Sequence, residues 1–191
     1  MIRVIETDGE ALYLPGFIAA DRAEALFRLL VREVPWQEEV LADAGRRVRL
    51  PRAVCWYGDA GYPYAGFSHA PQPWTEPLLD LKQAVEQACG QGFNGALVNW
   101  YRHGGEAMGW HADAEAVLGE NPLIASVSLG AERWMRFRHN RSGEEVELSL
   151  ASGSLLVMRG RLQHCWQHAV PGVAGLAAGR VNLNFRCLFG K

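Results

Sequence analysis

From about residue 95 to the C-terminus, short segments of alternating apolar and polar residues follow one another, punctuated by Gly, Pro, Asn and Ser. A period of two sustained over that length builds sheet, and it excludes an all-helical protein. Segments 95–102, 124–130, 133–139, 145–150, 155–159, 163–170 and 180–189 read as strands, with turns at 103–109, 140–144 and 171–179. So many short strands must close on one another as a sandwich or barrel.

The first half has a different period. Asp21 with Glu24 has capping-box spacing. Phe27, Leu30, Val31 and Val34 then recur at helical intervals until Pro35. A second helix is expected from Thr75, with Pro77 in its first turn, Leu78, Leu81, Val85 and Ala88 on one face, and Gly90 as its stop. Residues 36–68, rich in Arg, Tyr, Gly and Pro, read as irregular hairpins or a lid rather than core. The 191 residues are expected to form a single α+β domain. Helices and lid occupy about 1–94 and the strand-built core about 95–191.

Charge narrows the function. Nineteen Lys plus Arg against 21 Asp plus Glu exclude a polycation that coats nucleic acid. The balance is uneven: residues 1–129 hold 10 basic and 17 acidic side chains, residues 130–191 hold 9 and 4. An acidic ligand is therefore expected to meet the C-terminal part, helped by Arg46, Arg47, Arg49 and Arg52. No window approaches 18 consecutive apolar residues, and the N-terminus has no secretory pattern. Cys55, Cys89, Cys165 and Cys187 show no CxxC spacing, so four reduced thiols in the cytoplasm are expected.

Three segments carry chemistry. In the first, residues 97–115, Asn99 and Tyr101 share one strand face, and His111 and Asp113 project together. A His-x-Asp pair is two-thirds of the 2-His-1-carboxylate triad that leaves cis positions open on Fe(II). Alone, that pair is equally compatible with a surface loop. The second segment, 180–189, places Arg180, Asn182, Asn184 and Arg186 on one face, a row of fixed donors suited to a small dianion. The third, 163–171, offers His164 and His168, which share a face at strand spacing, so spacing does not choose between them. Zinc-protease chemistry is disfavoured because Cys165, not Glu, follows His164.

Together, Asn99-x-Tyr101, His111-x-Asp113-x-Glu115, His168 ahead of Pro171, and Arg180-x5-Arg186 resemble the AlkB family of Fe(II)/2-oxoglutarate dioxygenases. The nearer likeness is to the branch containing the human homologue that acts on duplex DNA. PRAVCWYGDAGYPY, PLIASVSLGAERWMRFRHN and SGSLLVMRG extend the resemblance over roughly 45–190. It implies a double-stranded β-helix (jelly roll) braced by N-terminal helices, with a nucleotide-recognition lid. It also implies iron held by His111, Asp113 and His168, rather than His164, and 2-oxoglutarate held by Asn99, Tyr101, Arg180, Asn184 and Arg186. Arg180 would take the distal carboxylate, with Arg186 supporting the end nearer the metal. Asn184 stands where relatives often have Thr.

The implied reaction is oxidative demethylation of N-alkylated bases such as 1-methyladenine and 3-methylcytosine in DNA. It converts 2-oxoglutarate and O2 to succinate and CO2 and releases formaldehyde. Such a base must be flipped out or single-stranded. Tyr57 and Tyr64 are the candidate aromatic platforms, and Glu115 is the candidate reader of the exocyclic amine. Alkylated DNA is the expected partner, with RNA or a protein side chain as the alternative substrate. No membrane is involved, and a monomer is expected.

Overall fold

The computed structural model describes residues 1–43, 46–64 and 67–189; side chains at 41–49 and 64–68 lie outside the description. In chain order the elements are β1 (Ile2–Ile5), β2 (Glu10–Leu14), α1 (Ala20–Glu33), β3 (Gln37–Asp43), β4 (Arg46–Gly58), β5 (Tyr62–Tyr64), β6 (Phe67–His69) and α2 (Glu76–Cys89). Then come β7 (Gly95–Tyr101), β8 (Met108–His111), β9 (Ile124–Gly130), β10 (Arg133–His139), β11 (Glu145–Leu150), β12 (Ser154–Arg159), the helical turn α3 (Leu162–Cys165), β13 (Trp166–Val170) and β14 (Arg180–Arg186).

Two antiparallel sheets form the core. The major sheet runs β1-β2-β12-β9-β14-β7-β4-β3 and the minor sheet β11-β10-β13-β8, while β5 and β6 make a separate hairpin. The strand pattern led to a sandwich or barrel, and this is the jelly roll that the family resemblance implies. Four major-sheet strands, β1 to β4, precede residue 94. The expectation for 36–68 is corrected here: Ala53 to Tyr57 of β4 are all buried and pair with β7.

Period-two alternation sorts the major sheet into two faces. Cys55, Tyr57, Ala96, Val98, Ala125, Val127, Leu129, Val181, Leu183 and Phe185 face outward into one apolar cluster with α1 and α2. Full burial of such a side chain is worth about 1.5–3 kcal/mol over exposure, so this cluster fixes both helices against the sheet. Leu97, Asn99 and Tyr101 of β7 face inward instead, as do Arg180, Asn182, Asn184 and Arg186 of β14.

Both helices appear, with one difference at a cap. The first residue of α1 is Ala20, so Asp21 lies inside its first turn and makes no side-chain cap. Glu24 accepts from Arg28 at 2.7 Å rather than closing a capping box. Thr75 precedes α2, and Gly90 ends it in the left-handed conformation with φ 67°. Gly95 is required for another reason: a Cβ there would lie 2.1 Å from the Trp56 indole.

Candidate active site

A pocket between the two sheets gathers most of the residues singled out in the sequence. It is lined by Asn99, Tyr101, His111, Asp113, His168, Arg180, Asn184 and Arg186. Its metal-capable end is built by the minor sheet. His111 closes β8 and faces His168 of β13 directly across the ladder, with ring centroids 4.3 Å apart. Asp113 follows two residues later, and its backbone N–H donates to Gln163 Oε1 at 2.9 Å. Ligand atoms from His111, Asp113 and His168 all lie within 4.8 Å of one another, the one such grouping among the described residues. His164 is elsewhere: its Nε2 meets the carbonyl of Glu120.

The protonation states suit a divalent metal. His111 Nδ1 lies 2.8 Å from the Gly109 carbonyl, which can only accept, so Nδ1 donates there and Nε2 is the nitrogen left to meet a metal. Burial, aided by His111, pushes the His168 imidazole down to about 3, so it is neutral. Burial alone would raise Asp113, but Arg186 and then His168 outweigh it and hold the carboxyl below its ordinary value. Two imidazoles and one carboxylate are the donor set of a non-haem Fe(II) centre.

The other end is built by the major sheet and suits a carboxylate. Arg180 is 1% exposed; its Nη2 donates to Ser128 Oγ at 2.9 Å. Its Nε and Nη1 are buried without a hydrogen-bond partner. Burial pushes this guanidinium down to about 10, still charged at neutral pH. A buried cation with free N–H groups is costly unless an anion meets them, and a carboxylate matches that fork. Tyr101 has Arg180 and Arg133 on its ring, 5.5 and 5.6 Å from the centroid. Asn184 Nδ2 donates to Asn182 Oδ1 at 2.9 Å. Arg186 reaches toward the metal end, where Nη2 donates to Asp113 Oδ1 at 2.7 Å.

Glu115 extends from the metal loop. It is partly buried, its Oε2 has no hydrogen-bond partner, and burial raises its carboxyl above the ordinary value. Ala114 beside it is exposed.

Two sequence expectations are corrected. Tyr57 is no platform for a base: it is buried on the outward face of β4, beneath the helices. Strand parity is the reason, since Val54 and Trp56 take the inward face and Cys55 and Tyr57 the other. Arg52 is not a phosphate contact either. It is 2% exposed and its Nε donates to Asn99 Oδ1 at 2.8 Å. The side chains of Tyr64, Arg46, Arg47 and Arg49 lie outside the described residues. Sequence reasoning passed over Tyr62, whose hydroxyl meets Arg186 Nη1 and whose ring stacks on Trp56 at 4.6 Å. Its position two residues before Tyr64 on one strand was the available signal.

Fold and site together define a double-stranded β-helix oxygenase. The sequence profile of the 2OG-Fe(II) oxygenase superfamily matches residues 10–186, and the chain belongs to that family, which uses Fe(II), 2-oxoglutarate and O2. It is 36% identical over 185 residues to the alpha-ketoglutarate-dependent dioxygenase alkB homolog 3 of Bos taurus, covering 92% of this chain and 65% of the relative. Against the human protein of the same name identity is 35% with the same coverage. It is 39% identical over 177 residues to the DNA oxidative demethylase ALKBH2 of Mus musculus, covering 86% of this chain and 74% of that one. The chain thus spans just under two thirds of the alkB homolog 3 relatives. A solved structure described as that of OsALKBH1 shares the fold, with a TM-score of 0.67, 18% identity and coverage of 92% and 97%. No helix among the described residues is long and apolar enough to cross a membrane.

Proposed function

We propose that this protein is a DNA oxidative demethylase that removes N-methyl groups from alkylated bases. The observation that carries the proposal is the two-ended pocket. His111, Asp113 and His168 converge at one end, and Arg180 presents unpartnered N–H groups at the other. Relatives named as DNA oxidative demethylases support the choice of substrate.

When bound, Fe(II) with 2-oxoglutarate and O2 supplies oxidation of the N-methyl carbon, yielding succinate, CO2 and formaldehyde. His111 Nε2, Asp113 and His168 hold the metal. Arg180 receives the distal carboxylate of 2-oxoglutarate, with Asn99, Tyr101 and Asn184 along its length. Arg186 keeps the Asp113 carboxylate oriented. Glu115 accepts from the exocyclic amine of the target base and balances the positive charge of the lesion. Enclosure between two sheets excludes water from the reacting centre. The reading includes a monomer acting in the cytoplasm.

The test is mass spectrometry of 1-methyladenine and 3-methylcytosine oligonucleotides, DNA and RNA in parallel, with iron and 2-oxoglutarate supplied. Loss of 14 mass units (about one CH2) from DNA supports the reading. Loss from RNA alone moves the substrate to RNA, and succinate formation without loss from either excludes both.

A further inference from the structure

The Asn99 amide sits at the end of a buried polar chain that begins in the β5–β6 hairpin. Arg52 Nε donates to Asn99 Oδ1 at 2.8 Å. Arg52 Nη2 is paired with Glu39 Oε2 at 3.5 Å, and Glu39 Oε1 lies 3.0 Å from His69 Nε2. All four side chains are at most 5% exposed. They come from β7, β4, β3 and β6 in turn.

An amide side chain has one accepting and one donating end, and which end faces a pocket is set by its neighbours. A guanidinium only donates, so the end facing Arg52 is the oxygen. The Asn99 NH2 is then turned the other way, where its protein partner is the Leu97 carbonyl at a long 3.5 Å. Asn99 is therefore held as a donor in the pocket. Arg52 keeps that post only while its charge is balanced, and Glu39 supplies the balance from a site nearly closed to water. His69 Nε2 lies against Glu39 Oε1 from the far side. His69 is also the cross-strand partner of Tyr62, whose hydroxyl meets Arg186. Directly opposed residues of an antiparallel pair point to one side. One rung of the β5–β6 hairpin therefore touches both the Asn99 chain and the Arg186–Asp113 pair.

We infer that Glu39 and His69 are positioning residues which, through Arg52, fix the Asn99 amide as a donor to 2-oxoglutarate. The inference rests on the proposed contact between Asn99 and 2-oxoglutarate. Calorimetric titration of 2-oxoglutarate into the Mn(II)-loaded, catalytically silent protein, without DNA, tests it. Glu39→Gln is expected to weaken 2-oxoglutarate binding about tenfold, as for loss of one charge-assisted arrangement, with Mn(II) affinity unchanged. In an Asn99→Ala background the same change is expected to add nothing, since the amide it positions is gone. A purely structural role for Glu39 would weaken binding equally in both backgrounds, and that result overturns the inference. So does wild-type affinity in Glu39→Gln while Asn99→Ala binds weakly. Wild-type affinity in Asn99→Ala itself overturns the underlying contact instead. His69→Gln, which leaves the Arg52–Glu39 pair intact, is read by the same cycle if Glu39→Gln fails to fold; it should weaken binding less and in the same direction.

Discussion

Arg186 Nη2 donates to Asp113 Oδ1 at 2.7 Å, and both side chains are almost wholly closed to solvent. A cosubstrate-end strand thus grips a metal-end carboxylate. Removing one member of such a buried pair leaves the other charge uncompensated, at about 3–5 kcal/mol. Arg186→Ala is therefore expected to lose stability of that order in urea unfolding of the metal-free protein. Restoration of most of it by Asp113→Asn in the same chain would show that the pair, not the Arg186 packing, is responsible.

His168→Ala is expected to abolish Mn(II) binding measured by calorimetry, whereas His164→Ala is expected to retain it. His164 Nε2 is committed to the Glu120 carbonyl and is not part of the cluster. Equal loss in the two variants would mean that His164 reaches the metal.

Arg180 offers a trade between function and stability. Its Nε and Nη1 lack partners in the protein alone. Arg180→Met keeps the volume and removes the buried charge, so the melting temperature of the metal-free protein should rise by a few degrees, roughly 1 kcal/mol. Affinity for 2-oxoglutarate should fall by about a hundredfold or more, as for loss of a desolvated Arg–carboxylate pair. A variant that melts lower and still binds 2-oxoglutarate would show that Arg180 is a packing residue.

Glu115→Gln preserves shape and removes charge. Repair of the cationic lesions 1-methyladenine and 3-methylcytosine is expected to fall about tenfold, and repair of neutral etheno adducts much less. Quantifying residual lesions of each class side by side checks this, and equal losses would assign Glu115 to the metal loop's structure.

The two tyrosines of β4 and β5 should part company. Tyr57→Phe is expected to leave demethylation within about twofold of normal, because its ring lies beneath the helices and its packing is kept. Tyr62→Phe frees Arg186 Nη1 and should lower activity measurably. Steady-state rates on one methylated oligonucleotide compare them directly.

Much of this site was legible because it is written in local periods. The alternation of Arg180, Asn182, Asn184 and Arg186 survives intact on β14, where the opposite residues bury in the helical cluster. The α2 boundaries were readable from Thr75 and Gly90 for the same reason. What escaped depends on contacts distant in sequence. Arg52 looked like one more member of a basic run because its partner Asn99 is 47 residues away. Spacing also misled at His164, since Leu162–Cys165 form a helical turn and strand parity does not carry from there into β13. The short strands β1 and β2 carried too few residues to show a period.

The two ends of the pocket belong to different sheets. Metal-capable side chains hang from β8, its following loop and β13, whereas the carboxylate-end residues stand on β7 and β14. The distance between the metal-capable end and the carboxylate end is therefore a spacing between two slabs, kept by Met135, Phe137, Leu156 and Met158 wedged between them. These four residues act as shims. Thinning Phe137 or Leu156, which do not line the pocket, would misalign two intact half-sites, so chemistry can be detuned by side-chain carbons that no reactant ever meets.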